Sequence, residues 1–355
     1  MDKSTSLPAS KDTASFWIRA ISVIVPYRKS FVLANMPAKL VFGAGGIGGT
    51  EKGFTYTWDT AEKASSLLDT LEALGLKELD SAASYPPGNP WNTETLLGQS
   101  KAVERGFVVD SKVLGARGPM LTDELITASV DKTLQLLDAK KVRTLYAHFS
   151  DKHTPIEETA KAFDRQHREG KFERLGLCNY SAAELSQYFS ICDEKGYVKP
   201  AVYQGEYNAL LRDDEAELIP ILRQHNCAYY AYSPLAGGFL TGKVTFATNA
   251  ESELHRTRFH GPSTFQAYAD RYDRQKMHDA VRALKKVCDE EGVSLQEASL
   301  RWLIWHSQLG EGDAVILGAS KKGQLESNVK DARKGPLGGR VKEAVEGMLR
   351  VNGKW

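Results

Sequence analysis

Short apolar runs alternate with amphipathic segments along the chain from Ala38 onwards. Each apolar run has the length of a β-strand, and most are followed by a segment in which Ala, Leu and charged residues recur at helical spacing. Repeated strand–helix units of this kind predict parallel strands. The predicted strands are LVFGAGG (40–46), KELD (77–80), GFVVDSK (106–112), RTLYAH (143–148), ERLGLCN (173–179), AVYQG (201–205), CAYYAYS (227–233) and AVILG (314–318).

Helical periodicity predicts α-helices after most of these strands. Thr93, Thr154 and Ser181 stand at predicted N-cap positions. A long segment rich in Gly and polar residues follows the seventh strand and extends to about residue 270. The predicted helices cover 59–74, 94–104, 121–139, 155–170, 213–225, 275–291, 295–307, 322–332 and 340–350, with one more after Ser181.

About eight strand–helix units in a chain of this length suit a closed (β/α)8 barrel better than two open sheets. We therefore predict an α/β fold of the TIM-barrel type, with a long insertion after strand 7. The carboxyl ends of all strands share one face of such a barrel, and the active site is expected on that face.

The composition is that of an ordinary soluble globular protein, with 42% of the 355 residues hydrophobic and 26% charged. The net charge of +1 gives no reason to expect a nucleic acid or an acidic membrane surface as a partner. No apolar run approaches the roughly 20 residues of a membrane span. The four cysteines are widely spaced, so we expect neither a metal site nor a disulfide framework, and we predict a reducing, cytoplasmic location.

Residues 1–37 differ from the rest of the chain. The first part of this segment is rich in Ser, Thr, Lys and Asp, which favours disorder, and the later part is apolar. A secretory signal fits badly because Arg19 and Pro26 interrupt the apolar run, and two early aspartates count against the alternative of a mitochondrial presequence. We predict a poorly ordered extension here and the barrel over residues 38–355.

The stretch from Gly43 to Gly48 matches the G-x-G-x-x-G pattern of dinucleotide-binding loops. That pattern requires a helix that opens at once, because the helix N-terminus binds the pyrophosphate. The residues that follow, GTEKGFTYTWDT, are typical of a loop, and no second strand ends in an acidic residue about 20 positions on. We therefore reject a Rossmann fold and expect the glycines to let this loop pass close to a ligand.

Four residues with acid–base chemistry lie at or near the ends of consecutive predicted strands. Asp80 ends the second strand, and Tyr85 lies in the loop after it. Lys112 ends the third strand and His148 ends the fourth, so a parallel barrel brings all four to one face. Each residue alone has an ordinary structural explanation, such as a turn-capping Asp or a surface Lys. Their joint placement favours a catalytic site.

The four residue types suit protonation of a carbonyl oxygen. A phenol with a pKa of about 10 is a poor proton donor near neutral pH unless its surroundings change it. A buried ammonium lowers that pKa, so we predict a Tyr85 midpoint below about 10, with Asp80 holding Lys112 in place. An imidazole can orient the carbonyl group and help to relay a proton while a hydride is delivered to the carbon.

These motifs resemble the aldo-keto reductase superfamily over about residues 38–340. Asp80, Tyr85, Lys112 and His148 match the catalytic tetrad of that family one for one. The resemblance is greatest to the aflatoxin-aldehyde reductase branch, and it implies a (β/α)8 barrel that binds NADPH or NADP+ without a Rossmann fold. The runs that carry it are HTPIEET (153–159), REGKFERLGLCNYS (168–181), VYQGEYNALLR (202–212), AYSPLAGGFLTGK (231–243) and RFHG (258–261).

The resemblance also implies which residues bind the nicotinamide half of the cofactor. Asn179 and Gln204 would hold the carboxamide, and Tyr232 would stack on the ring. Cys178 stands where this branch usually has serine, which would weaken one hydrogen bond to the carboxamide. Taken alone, the next stretch is an ordinary Pro/Gly loop after a strand. By the resemblance it wraps the pyrophosphate with Ser233, Pro234, Leu235, Ala236, Gly237, Gly238 and Lys243.

The residues after the last strand are expected at the adenosine end of the cofactor. Lys321 and Lys322 stand at a predicted helix start, where N–H groups and positive charge suit a phosphate. Two lysines at a helix start are, by themselves, more often solvated surface. By resemblance, Arg258 also binds the cofactor, and Ser320, Gln324 and Asn328 are assigned to the adenosine 2′-phosphate end. We expect Gly318, Lys321 and Lys322 to contribute to cofactor binding as well.

The substrate is expected to contact Tyr85 and His148. Arg271 matches an arginine that lies near the substrate mouth in this branch. Acidic aldehydes are common substrates of the branch, and a cationic side chain at the mouth would suit them.

We therefore predict an NADPH-dependent reductase that converts an aldehyde or ketone to an alcohol, in detoxification or in secondary metabolism such as polyketide or mycotoxin biosynthesis. The alternative, from a different class, is an NADPH-binding regulatory subunit that resembles the β-subunits of potassium channels. The branch-specific runs favour the enzyme. The expected partner is a small carbonyl compound rather than a nucleic acid or a membrane, and a homodimer is compatible with the sequence.

Overall fold

The computed structural model describes residues 36–49, 57–115, 119–255, 257–259, 266–348 and 350. The predicted extension lies almost entirely outside these residues, as do His260 and Gly261 of the RFHG run. The division of the chain into an extension and a barrel therefore stays a prediction.

Eight parallel strands close into a barrel within the described part of the chain, each strand pairing with its neighbours in sequence and the last pairing with the first. This architecture confirms the predicted (β/α)8 barrel. The strands are β1 Lys39–Gly43, β2 Glu78–Asp80, β3 Val108–Lys112, β4 Val142–Ala147, β5 Phe172–Cys178, β6 Pro200–Glu206, β7 Ala228–Tyr232 and β8 Ala314–Leu317.

The α-helices surround the barrel and bury their apolar sides against it, so the main core lies between the strands and the helices. None of the helices in the described ranges has the length and apolar character needed to cross a bilayer. The helices are α1 Ala61–Ala73, α2 Asn92–Gln99, α3 Asp123–Leu137, α4 Ile156–Arg168, α5 Ala182–Lys195, α6 Leu218–Gln224, α7 Lys243–Phe246, α8 Ala250–Glu253, α9 Gln266–Tyr272, α10 Gln275–Glu290, α11 Leu295–Trp305, α12 Lys322–Ala332 and α13 Gly339–Glu346.

The chain leaves β1 through a short 3₁₀ turn, and α1 begins only at Ala61. The closed barrel of eight parallel strands agrees with the rejection of a Rossmann fold. After β7 the insertion contains a 3₁₀ segment, Ala236–Thr241, and the short helices α7, α8 and α9.

One of the three predicted N-caps is confirmed. The Ser181 side chain accepts a hydrogen bond from the backbone N–H of Glu184, and the Glu184 carboxylate accepts one from the backbone N–H of Ser181. The other two predictions are wrong, because each hydroxyl donates to a nearer acceptor. Thr93 lies inside α2 and donates to the Ile47 carbonyl oxygen at 2.8 Å, and Thr154 donates to Asp151 at 2.7 Å.

Candidate active site

The four predicted catalytic residues come together at the carboxyl end of the barrel. The Lys112 ammonium lies 2.8 Å from both carboxylate oxygens of Asp80 and 5.0 Å from the centroid of the Tyr85 ring. The Tyr85 and His148 rings meet edge to face with centroids 5.7 Å apart. Lys112 and Asp80 are buried, and Tyr85 is half-buried. The geometry is therefore that of a charged pair beneath a phenol, with an imidazole beside it.

Burial controls the protonation of this group. It raises the pKa of the Tyr85 phenol from 10.0 to about 12, although the Lys112 ammonium acts in the opposite direction. The predicted midpoint below about 10 is therefore wrong, because the cost of burying a phenolate outweighs the attraction of Lys112. Burial, with a smaller contribution from Lys112, holds the pKa of His148 well below 6.5, so the imidazole is neutral near pH 7.

The Asp80–Lys112 pair stays ionised because each charge compensates the other. Burial raises the pKa of the Asp80 carboxyl above its ordinary value, and the bonds from Lys112 and Gln204 counter only part of that effect. Burial lowers the pKa of Lys112, but the Asp80 carboxylate overcomes it and the net pKa lies above its ordinary value. The Ser81 carbonyl oxygen accepts a third bond from the ammonium at 2.8 Å.

The loop after β2 fixes the position of Tyr85. The backbone N–H of Tyr85 donates to the Ala82 carbonyl oxygen at 3.0 Å, and the Trp91 N–H donates to the Ala83 carbonyl oxygen at 2.8 Å. Gly45 packs against the Tyr85 ring, and a Cβ at this glycine would lie 3.4 Å from the ring. The glycine-rich first loop thus supports the phenol directly.

The residues expected around the nicotinamide form one hydrogen-bonded group with the tetrad. The Gln204 side-chain amide donates to Asp80 at 2.7 Å, and the Cys178 thiol lies 3.8 Å from the side-chain oxygen Oε1 of Gln204. The Asn179 amide donates to the His148 carbonyl oxygen at 3.2 Å and accepts from the Tyr232 hydroxyl at 2.9 Å. Three further strands, β5, β6 and β7, therefore join the site.

The loop expected at the pyrophosphate turns sharply after β7. Ser233, Ala236, Gly237 and Gly238 all have positive φ, and such turns form concave backbone surfaces that suit anions. The Ser233 hydroxyl lies 2.6 Å from the Tyr268 hydroxyl of α9, and a Cβ at Gly237 would lie 2.7 Å from the Tyr268 ring. Pro234 and Leu235 are buried and Lys243 is exposed. Helix α9 thus packs directly on this loop.

The residues expected at the adenosine end lie after β8. Ser320 donates to Gln324 through its N–H and its hydroxyl, and Gly318, Lys321 and Lys322 are exposed. The Asn328 side chain is buried, and within the described ranges neither its donor nor its acceptor has a partner. An amide of this kind fits a group whose partner is a ligand.

Arg271 lies at the site but does not present a lone positive charge. Its guanidinium is 2.6 Å from the Glu206 carboxylate, and the Tyr272 hydroxyl donates to the other oxygen of that carboxylate at 2.8 Å. Arg258 stacks over the Tyr268 ring at 4.9 Å. The cationic mouth that the sequence suggested is therefore occupied by an ion pair.

Glu206, Asn208 and Tyr268 belong to the site but were not identified from the sequence. Asn208 donates to the Ser233 carbonyl oxygen at 3.2 Å and to the Tyr272 hydroxyl at 3.0 Å. A signal existed for Glu206, because a carboxylate two residues after Gln204 on the same strand faces the same interior. No local pattern marks Tyr268, whose role depends on where α9 packs.

Comparisons with known proteins identify the family of the chain. The model of the Aldo/keto reductase family matches residues 39–339. Aflatoxin B1 aldehyde reductase member 2 of Rattus norvegicus is 37% identical over 304 residues, which cover 82% of this chain and 81% of the relative. Aldo-keto reductase family 7 member A3 of Homo sapiens is 36% identical over 273 residues, covering 74% of this chain and 81% of the relative.

A fungal relative has a similar extent. Oxidoreductase sirO of Leptosphaeria maculans is 32% identical over 319 residues, which cover 87% of this chain and 93% of the relative. The matched segment contains the whole barrel and every residue of the tetrad. The chain therefore belongs to the aldo/keto reductase family of oxidoreductases.

Proposed function

We propose that this protein is an NADPH-dependent carbonyl reductase in which Tyr85 is the proton donor. The observation that carries the proposal is the buried Asp80–Lys112 pair under a half-buried phenol that neighbours a neutral imidazole. NADPH, when bound, would supply the hydride that the carbonyl carbon receives. The carbonyl oxygen receives its proton from the Tyr85 hydroxyl, and the product is an alcohol.

The raised pKa of Tyr85 is compatible with this role. A phenol with a pKa of about 12 is fully protonated at neutral pH and ready to donate. An aliphatic alkoxide is a far stronger base than this phenolate, because the pKa of its conjugate alcohol is close to that of water. Transfer of the proton to the developing alkoxide is therefore downhill. Lys112 stabilises the phenolate that remains, and Asp80 fixes Lys112.

The residues around the tetrad would hold the cofactor. Asn179 and Gln204 would bind the carboxamide, and Tyr232 would face the ring. The loop from Ser233 to Lys243, with Arg258, would hold the pyrophosphate. The buried amide of Asn328 and the exposed Lys321 and Lys322 would bind the adenosine 2′-phosphate end.

Replacing the phenol tests the proposal. Tyr85→Phe should keep NADPH binding, measured by fluorescence titration, and should lose most of the turnover of an aldehyde. Tyr188→Phe is a matched control, because its hydroxyl is buried in α5 without a partner in the described part of the chain, and it should keep full turnover. Undiminished turnover by Tyr85→Phe would overturn the assignment. NADPH binding without turnover of any aldehyde by the wild type would favour the regulatory subunit.

The choice of NADPH over NADH is testable at the start of α12. Each charge-assisted hydrogen bond to the extra phosphate is worth roughly 1.5–3 kcal/mol. Replacing both Lys321 and Lys322 by Ala should therefore raise the KM for NADPH far more than the KM for NADH. Equal effects on the two cofactors would show that the two lysines are surface residues without a part in this choice.

A further inference from the structure

The end of β6 brings a second carboxylate to the mouth of the barrel. Successive side chains of a strand point to opposite faces, so Glu206 faces the same interior as Gln204. Gln204 reaches the tetrad by donating to Asp80 at 2.7 Å. Glu206 is the last residue of β6 and pairs in register with Tyr232. Its carboxylate therefore lies on the same side of β6 as Gln204, two residues nearer the carboxyl end of the barrel.

The positive charge of Arg271 is compensated at this place. The Arg271 guanidinium is 2.6 Å from Glu206, with side chains that are 7% and 1% exposed. The Tyr272 hydroxyl donates to the second carboxylate oxygen at 2.8 Å and accepts from Asn208 at 3.0 Å. The pair is thus anchored from two elements, α9 and the segment after β6, and its net charge is zero.

Two aromatic rings lie near the tetrad, the buried Tyr268 and the exposed Phe149. Tyr268, one turn before Arg271 on α9, contributes to raising the pKa of Tyr85 and is therefore within electrostatic reach of the phenol. Phe149 is 45% exposed and stacks on His148 with ring centroids 4.5 Å apart. Exposed apolar surface beside a site is typical of a binding surface for an apolar ligand.

We propose that Glu206 determines specificity, by neutralising Arg271 and so adapting the site to uncharged carbonyl compounds with an apolar body. This inference rests on the proposed function. A carboxylated aldehyde would have to displace Glu206 from Arg271, or else bring a second carboxylate close to it. Both events are costly, because a buried pair resists separation and like charges disfavour each other.

A pair of aldehydes that differ by one negative charge and one methyl group tests the proposal. The probes are 4-carboxybenzaldehyde and its methyl ester, and the readout is the acid-to-ester ratio of kcat/KM with NADPH. The wild type should prefer the ester by about tenfold or more. Glu206→Gln removes the negative charge but keeps an acceptor for Arg271 and Tyr272, and it should raise the acid-to-ester ratio by about tenfold or more.

Two further variants keep the test decisive. Arg271→Gln removes the cation that pairs with Glu206 and should lower the ratio, which gives a result even if Glu206→Gln does not fold. Glu78→Gln removes a carboxylate that pairs with Arg143 at the start of β2 and should leave the ratio unchanged. A wild type that prefers the acid, or a ratio that neither variant moves, overturns this inference while the reductase assignment stands. Failure of the wild type to reduce either aldehyde overturns both.

Discussion

At the scale of single residues, burial sets the charge that each group of the site carries. His148 is neutral because its ring is buried and Lys112 adds a repulsive positive charge nearby. Tyr85 is protonated because burial disfavours the phenolate, and Lys112 is charged because Asp80 compensates it. The site at neutral pH therefore offers one mobile proton, on Tyr85, and a neutral imidazole that can orient a carbonyl group.

A neutral His148 has a consequence for the pH dependence of the reaction. Because its pKa lies well below 6.5, carbonyl reduction should show no acid limb from this group between pH 6 and 8. His148→Gln should lower kcat/KM by about 100-fold or more, as the loss of a polar group that orients a reacting oxygen does. The pH profiles of wild type and variant should keep the same shape. An inflection near pH 6.5 that disappears in the variant would contradict the neutral imidazole.

Glu94 gives a prediction about stability rather than activity. This carboxyl is buried in α2, where it accepts from the hydroxyls of Ser111 at 2.5 Å and Thr133 at 3.2 Å. Burial raises its pKa from 4.5 to about 7. The folded state thus binds the proton more tightly than the unfolded state, so stability is lost as pH rises from about 4.5 to about 7 and stays lost above that range.

The expected loss is roughly 3 kcal/mol for a shift of this size. Urea unfolding should show that the free energy of unfolding of the wild type falls between pH 5 and pH 8. In Glu94→Gln this fall should be smaller by about that amount. Contributions from other titrating groups cancel in this difference. Glu104→Gln, at an exposed surface pair, is the control and should behave as the wild type. Equal pH dependence in wild type and Glu94→Gln would show that the Glu94 carboxyl titrates normally.

At the scale of elements, the packing of neighbouring strands positions the lysine of the tetrad. The Tyr146 ring of β4 is fully buried inside the barrel, and the Lys112 ammonium lies 5.6 Å from its centroid. Gly176 of β5 pairs in register with Tyr146. A Cβ at Gly176 would lie 2.2 Å from the Tyr146 ring, so only glycine leaves space for the ring in this orientation.

Gly176→Ala should therefore displace the Tyr146 ring and destabilise the protein. Overpacking of this kind costs about 1–3 kcal/mol, which a thermal or urea unfolding experiment detects. Addition of Tyr146→Leu should recover part of the loss by making room for the methyl group. Gly310→Ala is the matched control, because nothing lies within 4 Å of a Cβ at that position. If Gly176→Ala is as stable as that control, the Tyr146 ring can move away from the added methyl group without cost.

The positions of the strands and helices were largely predictable from the sequence, whereas the hydrogen-bond and ion-pair partners of individual side chains were not. Strand length and helical spacing located all eight strands and placed Asp80, Lys112 and His148 at strand ends, because these signals are local. The Thr93 cap failed because the hydroxyl found a carbonyl oxygen of another loop. The Arg271–Glu206 pair joins residues 65 positions apart, and no periodicity in one sequence reports such a contact.

At the scale of the whole molecule, two separate groups of charged residues can be distinguished in the barrel. The carboxyl end holds the tetrad, and the amino end holds a second network of charges. Arg143 of β4 donates to both carboxylate oxygens of Asp110 at 2.9 and 2.5 Å and to Glu78 at 2.5 Å. Lys39 of β1 pairs with Glu78 at 2.7 Å. The network therefore ties together the first four strands, with Lys39, Glu78 and Arg143 at or near the strand starts and Asp110 in register with Asp80.

This separation predicts that stability and catalysis can be changed independently. Arg143→Met should cost about 3–5 kcal/mol of unfolding free energy, because it leaves the fully buried Asp110 carboxylate without its cation. The same variant, assayed well below its melting temperature, should keep the kcat/KM of the wild type, since no residue of the tetrad contacts Arg143. Adding Asp110→Asn removes the unpaired charge and should restore part of the lost stability. A stability loss under about 1 kcal/mol would mean that water or neighbouring groups solvate Asp110. A large fall in kcat/KM with the fold intact would mean instead that the amino end of the barrel positions the tetrad, through strands that the network holds in register.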